Sequence, residues 1–227
     1  MTDEPIRERP RLYLITPPVI EDVAAFKTSL FCALDAGDVA CVQLRLKAGD
    51  RIDEAATTRL AEAVMEEIQS RDTTVIINDS IDLALTLGAD GVHLGAEDGS
   101  ISDARARLGA DAIVGATCKS SRHIAMEAGE AGADYVAFGA FYPTTTKDSA
   151  TPADVKVLQF WQEAMTLPCV AIGGVTPANA APLVRAGADF LAVSSGVWGH
   201  ADGPGAAVGS FNALFDQFHQ SWRSEAT

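Results

Sequence analysis

The sequence predicts an α/β protein, a single (β/α)8 barrel, and three observations carry that expectation. First, a Gly-Ala-Asp triplet recurs at Gly88-Ala89-Asp90, Gly109-Ala110-Asp111, Gly132-Ala133-Asp134 and Gly187-Ala188-Asp189, with Gly37-Asp38 as a shorter version. Such internal repetition is the mark of a repeated structural unit. Second, each copy follows an Ala/Leu-rich stretch of helical spacing and precedes a short apolar run. Third, these runs number about eight and are continuous rather than alternating, as strands covered on both faces are. Strands and helices in alternation imply a parallel sheet with right-handed crossovers. Eight units without a second domain favour closure over an open sheet.

In order, the runs are RLYLIT from Arg11, VACVQLRL from Val39, TTVIIND from Thr73, GVHLG from Gly91, AIVGATC from Ala112, YVAFGAF from Tyr135, PCVAIGG from Pro168 and FLAVSSG from Phe190. Helices are expected between them over 21–36, 53–71, 81–87, 102–108, 121–131, 153–165 and 177–186, with a last one over 206–222. In each repeat, Gly is read as the C′ residue that closes a helix, followed by a polar turn and a buried strand. Residues 1–10 are expected to form a flexible arm and 11–227 the single barrel domain.

The 227 residues are enough for one barrel with its own core. The apolar share is 48 % and the charged share 21 %, as in ordinary globular proteins. A net charge of −14 excludes nucleic acid or anionic lipid as a partner of the general surface. Any phosphate must bind in a pocket that locally reverses this sign. Cys32, Cys41, Cys118 and Cys169 form no C-x-x-C pair and suit no zinc site, so reduced thiols in a cytoplasmic protein are expected. The first residues, MTDEPIRERPR, lack the apolar core of a signal peptide. No run is long enough to span a membrane. A homo-oligomer is compatible with the sequence, which does not fix the oligomeric state.

Barrel chemistry sits at the C-terminal strand ends, so the polar residues there are the candidates. The second run ends in Gln43-Leu44-Arg45-Leu46-Lys47, and alternation puts Gln43, Arg45 and Lys47 on one face. An amide and two cations at a barrel mouth can grip a phosphate; two cations simply solvated at a strand end would leave Gln43 unexplained. The third run ends in Asn78-Asp79, and Asp98 follows the fourth. Two carboxylates on neighbouring loops can share Mg²⁺, whose shell water and substrate phosphate complete. Equally, Asp79 could cap the helix beginning near Ile81 and Asp98 could be an ordinary loop residue.

After the sixth run, Tyr142-Pro143-Thr144-Thr145-Thr146-Lys147 offers hydroxyls and an ammonium in one loop. The seventh and eighth runs end in Gly173-Gly174 and Ser194-Ser195-Gly196, where barrels of this kind hold phosphate with backbone N–H groups. The candidates thus divide into a cation-plus-carboxylate side, suited to a metal-bound pyrophosphate, and a backbone side, suited to a monophosphate. His93 is read as a hydrogen-bonded barrel histidine and Cys118 as a buried thiol. No histidine has a visible Ser or Cys partner, so a hydrolase triad has no support.

Through LYLIT, VQLRLK, NDSIDLALTLGADGVHLGAED, GADYVAFGAFYPTTTK and VAIGGVTPANAAPLVRAGADFLAVSS, the chain resembles the thiamine phosphate synthase family over roughly 12–197. No single segment is specific, but the ordered set is. The resemblance implies a TIM barrel and a Mg²⁺-dependent transferase that joins hydroxymethylpyrimidine pyrophosphate to thiazole phosphate, releasing pyrophosphate and thiamine phosphate. It implies that Gln43, Arg45, Lys47 and Asn78 contact the pyrimidine pyrophosphate and that Asp79 and Asp98 hold Mg²⁺. Thr117 would stand where the family usually has a pyrophosphate-contacting serine. Thr144 and Thr146 would touch the thiazole substrate and Lys147 the leaving pyrophosphate. Gly174, Ser194 and Ser195 would hold the thiazole phosphate, mainly through backbone. The implied catalysts are Lys147, Arg45 and Lys47, acting on departing pyrophosphate without a protein nucleophile.

The chain departs from the family's usual pattern at Ser80, where an arginine is common, at Leu46 (glutamate), Ala96 (glutamine) and Lys119 (histidine). These positions surround the pyrophosphate side. Three alternatives remain at this stage: a thiazole tautomerase on the same barrel, a barrel that binds thiamine phosphates without turnover, and another phosphate-binding barrel such as a sugar-phosphate epimerase.

Overall fold

In the computed structural model, which describes residues 7–144 and 152–225, eight parallel strands close into a barrel. The strands are β1 (Arg11–Ile15), β2 (Val39–Leu44), β5 (Thr74–Asn78), β6 (Gly91–Leu94), β7 (Ile113–Lys119), β8 (Tyr135–Gly139), β9 (Cys169–Ile172) and β10 (Phe190–Val193), joined in chain order with β1 paired to β10. Between them and after them lie α1 (Val23–Asp35), α2 (Glu54–Gln69), α3 (Ile81–Leu87), α4 (Ile101–Leu108), α5 (Arg122–Glu130), α6 (Lys156–Ala164), α7 (Ala181–Ala186), α8 (Ser195–Trp198) and α9 (Pro204–Glu225). Among the described residues, no helix is long and apolar enough to cross a membrane.

Alternate side chains of each strand face opposite ways, which gives the molecule two cores. The outer one lies between sheet and helices and includes Leu12, Leu14, Val42, Leu44, Val75, Ile77, Phe138, Trp161, Phe211 and Phe215. The inner one fills the barrel with Tyr13, Ile15, Cys41, Ile76, Tyr135, Ala137, Val170 and Ala192. Burial of this much aliphatic surface is the main force closing the ring.

The Gly-Ala-Asp repeat has a physical role in that closure. At Gly88, φ of 68° closes α3 in the left-handed region, which glycine enters without a Cβ penalty. The aspartate then ties two strands together at their N-terminal ends. Asp90 accepts the Val75 N–H at 2.7 Å, Asp134 the Val114 N–H at 2.7 Å and Asp189 the Cys169 N–H at 2.8 Å. Each aspartate thus links the strand it precedes to the strand before it: β5 to β6, β7 to β8 and β9 to β10. Asp111 is exposed, while Asp38 pairs instead with Arg11.

Four expectations need correction. The second strand ends at Leu44, not at Lys47; Lys47 opens a small antiparallel hairpin of β3 (Lys47–Ala48) and β4 (Arg51–Ile52), turned at Gly49. A short helix, α8, follows the eighth barrel strand directly. Helix α7 starts at Ala181 rather than 177, because Asn179 folds the preceding segment back by accepting the Thr176 N–H. Residues 7–10, expected within a loose arm, are bound to the barrel: Arg7 donates to Val184 O at 2.8 Å and Ala188 O at 2.7 Å, and Arg9 pairs with Asp216.

Candidate active site

The C-terminal strand ends bring the cation-and-carboxylate residues together. Lys47, on the hairpin, forms an ion pair with Asp79, and both side chains are mostly buried. Asp79 has φ of 64°, in the left-handed region that non-glycine residues seldom adopt. It does not cap that helix: Ser80 does, its Oγ accepting the Leu83 N–H at 3.2 Å. This division of labour frees Asp79, and it gives the departure at Ser80 a structural role.

Asp98 reaches Asp79 from the loop after β6, with one carboxylate oxygen accepting the Gly95 N–H at 3.0 Å. Its pKa lies above the usual carboxylate range, first because of burial and then because Asp79's carboxyl is hydrogen-bonding distance away. Two carboxylates thus converge on one spot, which is electrostatically costly without a cation. Arg45 stands behind them. Burial pushes its guanidinium pKa down, and the charges of Asp79 and Asp98 oppose that shift.

Asn78 ends β5 beside this pair. It is 4 % exposed, and its Nδ2 has no hydrogen-bond partner among the described residues. A buried amide donor left without an acceptor costs about 1–3 kcal/mol, so such a group is poised for a ligand acceptor. Gln43 and Thr117 lie at the two ends of a chain across the barrel interior. Gln43 Nε2 donates to the Tyr13 hydroxyl at 3.0 Å, Tyr13 and Tyr135 hydroxyls meet at 2.8 Å, Tyr135 meets His93 Nδ1 at 2.9 Å, and His93 Nε2 meets Thr117 Oγ1 at 2.8 Å. His93 is therefore the hydrogen-bonded barrel histidine expected from its position. Cys118 is fully buried, and burial raises its thiol pKa to about 12, which leaves no thiolate nucleophile at neutral pH.

The backbone side is built from close contacts. Gly174 has φ of 64°, and a Cβ there would lie 2.4 Å from Pro143 O, so only glycine fits between this turn and the loop after β8. Gly174 O accepts from Asn179 Nδ2 at 2.9 Å, and Tyr142 donates its hydroxyl to Asn179 O at 2.7 Å. The Ser194 hydroxyl is already donated to Thr16 O at 3.3 Å. Ser195 and Gly196 open α8, and their N–H groups have no intrahelical acceptor. Thr144 is half-buried at the edge of the same loop. Thr146 and Lys147 lie outside the described residues.

Sequence reasoning missed three supporting residues. Thr16 carries the Arg45 N–H on its Oγ1 at 2.8 Å. Tyr13 and Tyr135 complete the interior chain. The available signal was a hydroxyl in runs otherwise filled by aliphatic residues.

A closed (β/α)8 barrel whose mouth pairs buried cations and carboxylates with a glycine-lined backbone cradle defines an enzyme of small phosphorylated molecules. The family model described as thiamine monophosphate synthase matches residues 12–197, and the chain belongs to that family. It is similar to the thiamine-phosphate synthase of Hyphomonas neptunium, with 63 % identity across 92 % of this chain and 96 % of that protein. The thiamine-phosphate synthase of Rhodospirillum centenum is 60 % identical across 90 % of this chain and 97 % of its own length. Among solved structures, thiamine phosphate pyrophosphorylase from Pyrococcus furiosus superimposes with a TM-score of 0.78 at 28 % identity, covering 92 % of this chain and 96 % of that one. The chain is a transferase of thiamine biosynthesis, a thiamine-phosphate synthase by family.

Proposed function

We propose that the chain forms thiamine phosphate from hydroxymethylpyrimidine pyrophosphate and thiazole phosphate, with the two substrates on the two sides of the mouth described above. The observation that carries this arrangement is the convergence of Asp79 and Asp98 beside Lys47, Arg45 and the unpartnered amide of Asn78.

Arg45 and Lys47 bind the pyrophosphate, and Asn78 Nδ2 and Gln43 hold the pyrimidine ring. Thr117 donates to a pyrophosphate oxygen. Asp79 and Asp98 fit Mg²⁺ by chemistry and number: hard carboxylate ligands, two of them, with the rest of the shell left to water and substrate. Bound Mg²⁺ supplies charge neutralisation at the departing pyrophosphate.

The bond between the pyrimidine methylene and the pyrophosphate oxygen breaks, its electron pair leaving with pyrophosphate. The electron-rich aminopyrimidine stabilises the cation-like carbon, and the thiazole nitrogen forms the new bond. Lys147 stays with the leaving group, and Thr144 and Thr146 orient the thiazole. Gly174, Ser194 and Ser195 hold the thiazole phosphate through backbone N–H groups. The chain thus contributes orientation and fixed charge, not a nucleophile.

Free thiols at Cys32, Cys41, Cys118 and Cys169 support a cytoplasmic setting. The acidic surface argues against nucleic acid as a partner. The test is turnover of the two substrates with and without Mg²⁺, with thiamine phosphate read by fluorescence after oxidation. Mg²⁺-dependent product is expected. A folded protein that binds thiazole phosphate but makes no product would overturn the reading in favour of a non-catalytic barrel.

A further inference from the structure

The interior chain does more than fill the barrel. Tyr13, Gln43, His93 and Tyr135 are each 7 % exposed or less, so the bonds that link them lie within the barrel interior. Their rings are fixed as well. His93 stacks on Tyr135 at 5.5 Å and 20°, and Tyr13 meets Tyr135 edge-on at 5.9 Å. Gly115 makes the room, since a Cβ there would lie 2.0 Å from the Tyr135 ring.

With Gln43 Nε2 facing the Tyr13 hydroxyl, the donors of this chain can all run one way. An amide nitrogen only donates, so Gln43 Nε2 gives its proton to the Tyr13 oxygen. Tyr13 then has one proton left, which goes to Tyr135, and Tyr135 gives its own to His93 Nδ1. An accepting Nδ1 makes His93 neutral and protonated at Nε2, which donates to Thr117. The Thr117 proton is then free to point elsewhere. At the opposite end, the amide presents its carbonyl, Oε1, as an acceptor. Reversing the whole chain turns the amide over and puts the histidine in its other tautomer.

We propose that Gln43, Tyr13, Tyr135, His93 and Thr117 form a directional hydrogen-bond relay that selects aminopyrimidine over oxopyrimidine phosphates. This rests on the placement of the pyrimidine pyrophosphate given under Proposed function. The true substrate offers a donor, its exocyclic amine, to Gln43 Oε1 and an acceptor, a phosphate oxygen, to the Thr117 hydroxyl. Both ends match one sense of the relay. An oxopyrimidine offers an acceptor in place of the amine. It would turn the Gln43 amide over, reverse the relay and withdraw the Thr117 proton from the phosphate. Tyr13, Tyr135 and His93 are thus positioning residues that make the two ends of the substrate read as a pair.

The test uses unreactive phosphate monoesters of the amino- and oxopyrimidine, with binding measured by calorimetry in Mg²⁺ and without thiazole phosphate. The wild-type protein should prefer the amino form by about 100-fold or more, since a mismatched polar group leaves partners unpaired. Tyr135→Phe keeps the ring and its stacking but breaks the relay, and should narrow the ratio to below about 10-fold, a loss of one hydrogen-bond mismatch. Tyr13→Phe should do the same. Combining both should narrow it no further, because a chain cut once is already cut. Nitrogen NMR should find His93 in its Nε2–H tautomer in the wild type and in a mixture in Tyr135→Phe. If the wild type prefers the amino form and both single variants keep the full ratio, the relay is overturned alone. If the wild type binds neither pyrimidine, the placement of the substrate falls with it.

Discussion

The backbone N–H of Arg45 donates to the Thr16 hydroxyl at 2.8 Å, and this bond joins the two halves of the mouth. Thr16 is completely buried, and its carbonyl takes the Ser194 hydroxyl at 3.3 Å. One residue just after β1 therefore holds both the strand end that carries Arg45 and the turn that carries Ser194. Thr16→Val removes the acceptor and strands a partly buried N–H, at a cost of about 1–3 kcal/mol. The expected result is a lower Tm together with higher KM for both substrates, with Thr16→Ser restoring both. A KM change confined to one substrate would show that Thr16 does not couple the halves.

Asp98 should give a stability signal that runs opposite to the catalytic one proposed for it. Its pKa is raised by burial and by Asp79, so the folded chain holds that proton more tightly than the unfolded chain does. The ionised carboxylate therefore costs stability above the folded-state pKa, and the cost fades as pH falls toward the unfolded value. Asp98→Asn should raise Tm slightly at neutral pH in the absence of Mg²⁺, with the gain vanishing in acid. The same variant should lose on the order of 100-fold or more in Mg²⁺-dependent turnover. A Tm gain that persisted unchanged at low pH would contradict the electrostatic origin.

Gly174→Ala places a Cβ 2.4 Å from Pro143 O at a backbone φ of 64°. Left-handed alanine alone costs roughly 1–2 kcal/mol, and the contact adds displacement of the loop. The KM for thiazole phosphate should rise well above that for the pyrimidine substrate. Equal rises for both would move the monophosphate away from this turn.

Lys147→Ala should lower kcat as well as affinity, by about 10- to 1,000-fold, because a cation beside departing pyrophosphate acts mainly in the transition state. Steady-state kinetics at saturating substrate check this. A change in KM alone would reduce Lys147 to uniform binding.

At the other end of the barrel, Asp134→Ala leaves the buried Val114 N–H unpaired and breaks the ion pair with Arg105. The expected loss is about 1–3 kcal/mol of stability with kcat unchanged. Loss of kcat at a temperature where the variant is fully folded would tie this face to the chemistry.

The barrel was legible because its signal is repeated. Continuous apolar runs and the Gly-Ala-Asp triplets recur often enough that small boundary errors do not alter the topology. Arg45, Lys47, Asp79 and Asp98 were legible as a group because charge at strand ends is conspicuous in so apolar a sequence. Lys47 was placed on a strand because alternation continues through Leu46, whereas the turn at Gly49 folds it into a hairpin. Asp79 and Ser80 looked equally suited to cap α3, and the choice depends on a backbone angle that composition does not encode. Thr16 and the two tyrosines escaped notice because their partners are 29, 30 and 42 residues away in the chain, beyond the reach of local pattern.

The aspartate ties at the strand starts have a consequence for how this chain varies. They tie three pairs of neighbouring strands at the end of the ring opposite the candidate site. Of the positions that differ from the family's usual residues, Leu46, Ser80 and Ala96 follow strand ends and Lys119 is the last residue of β7. These differences lie at the mouth, at the opposite end of the barrel from the aspartate ties.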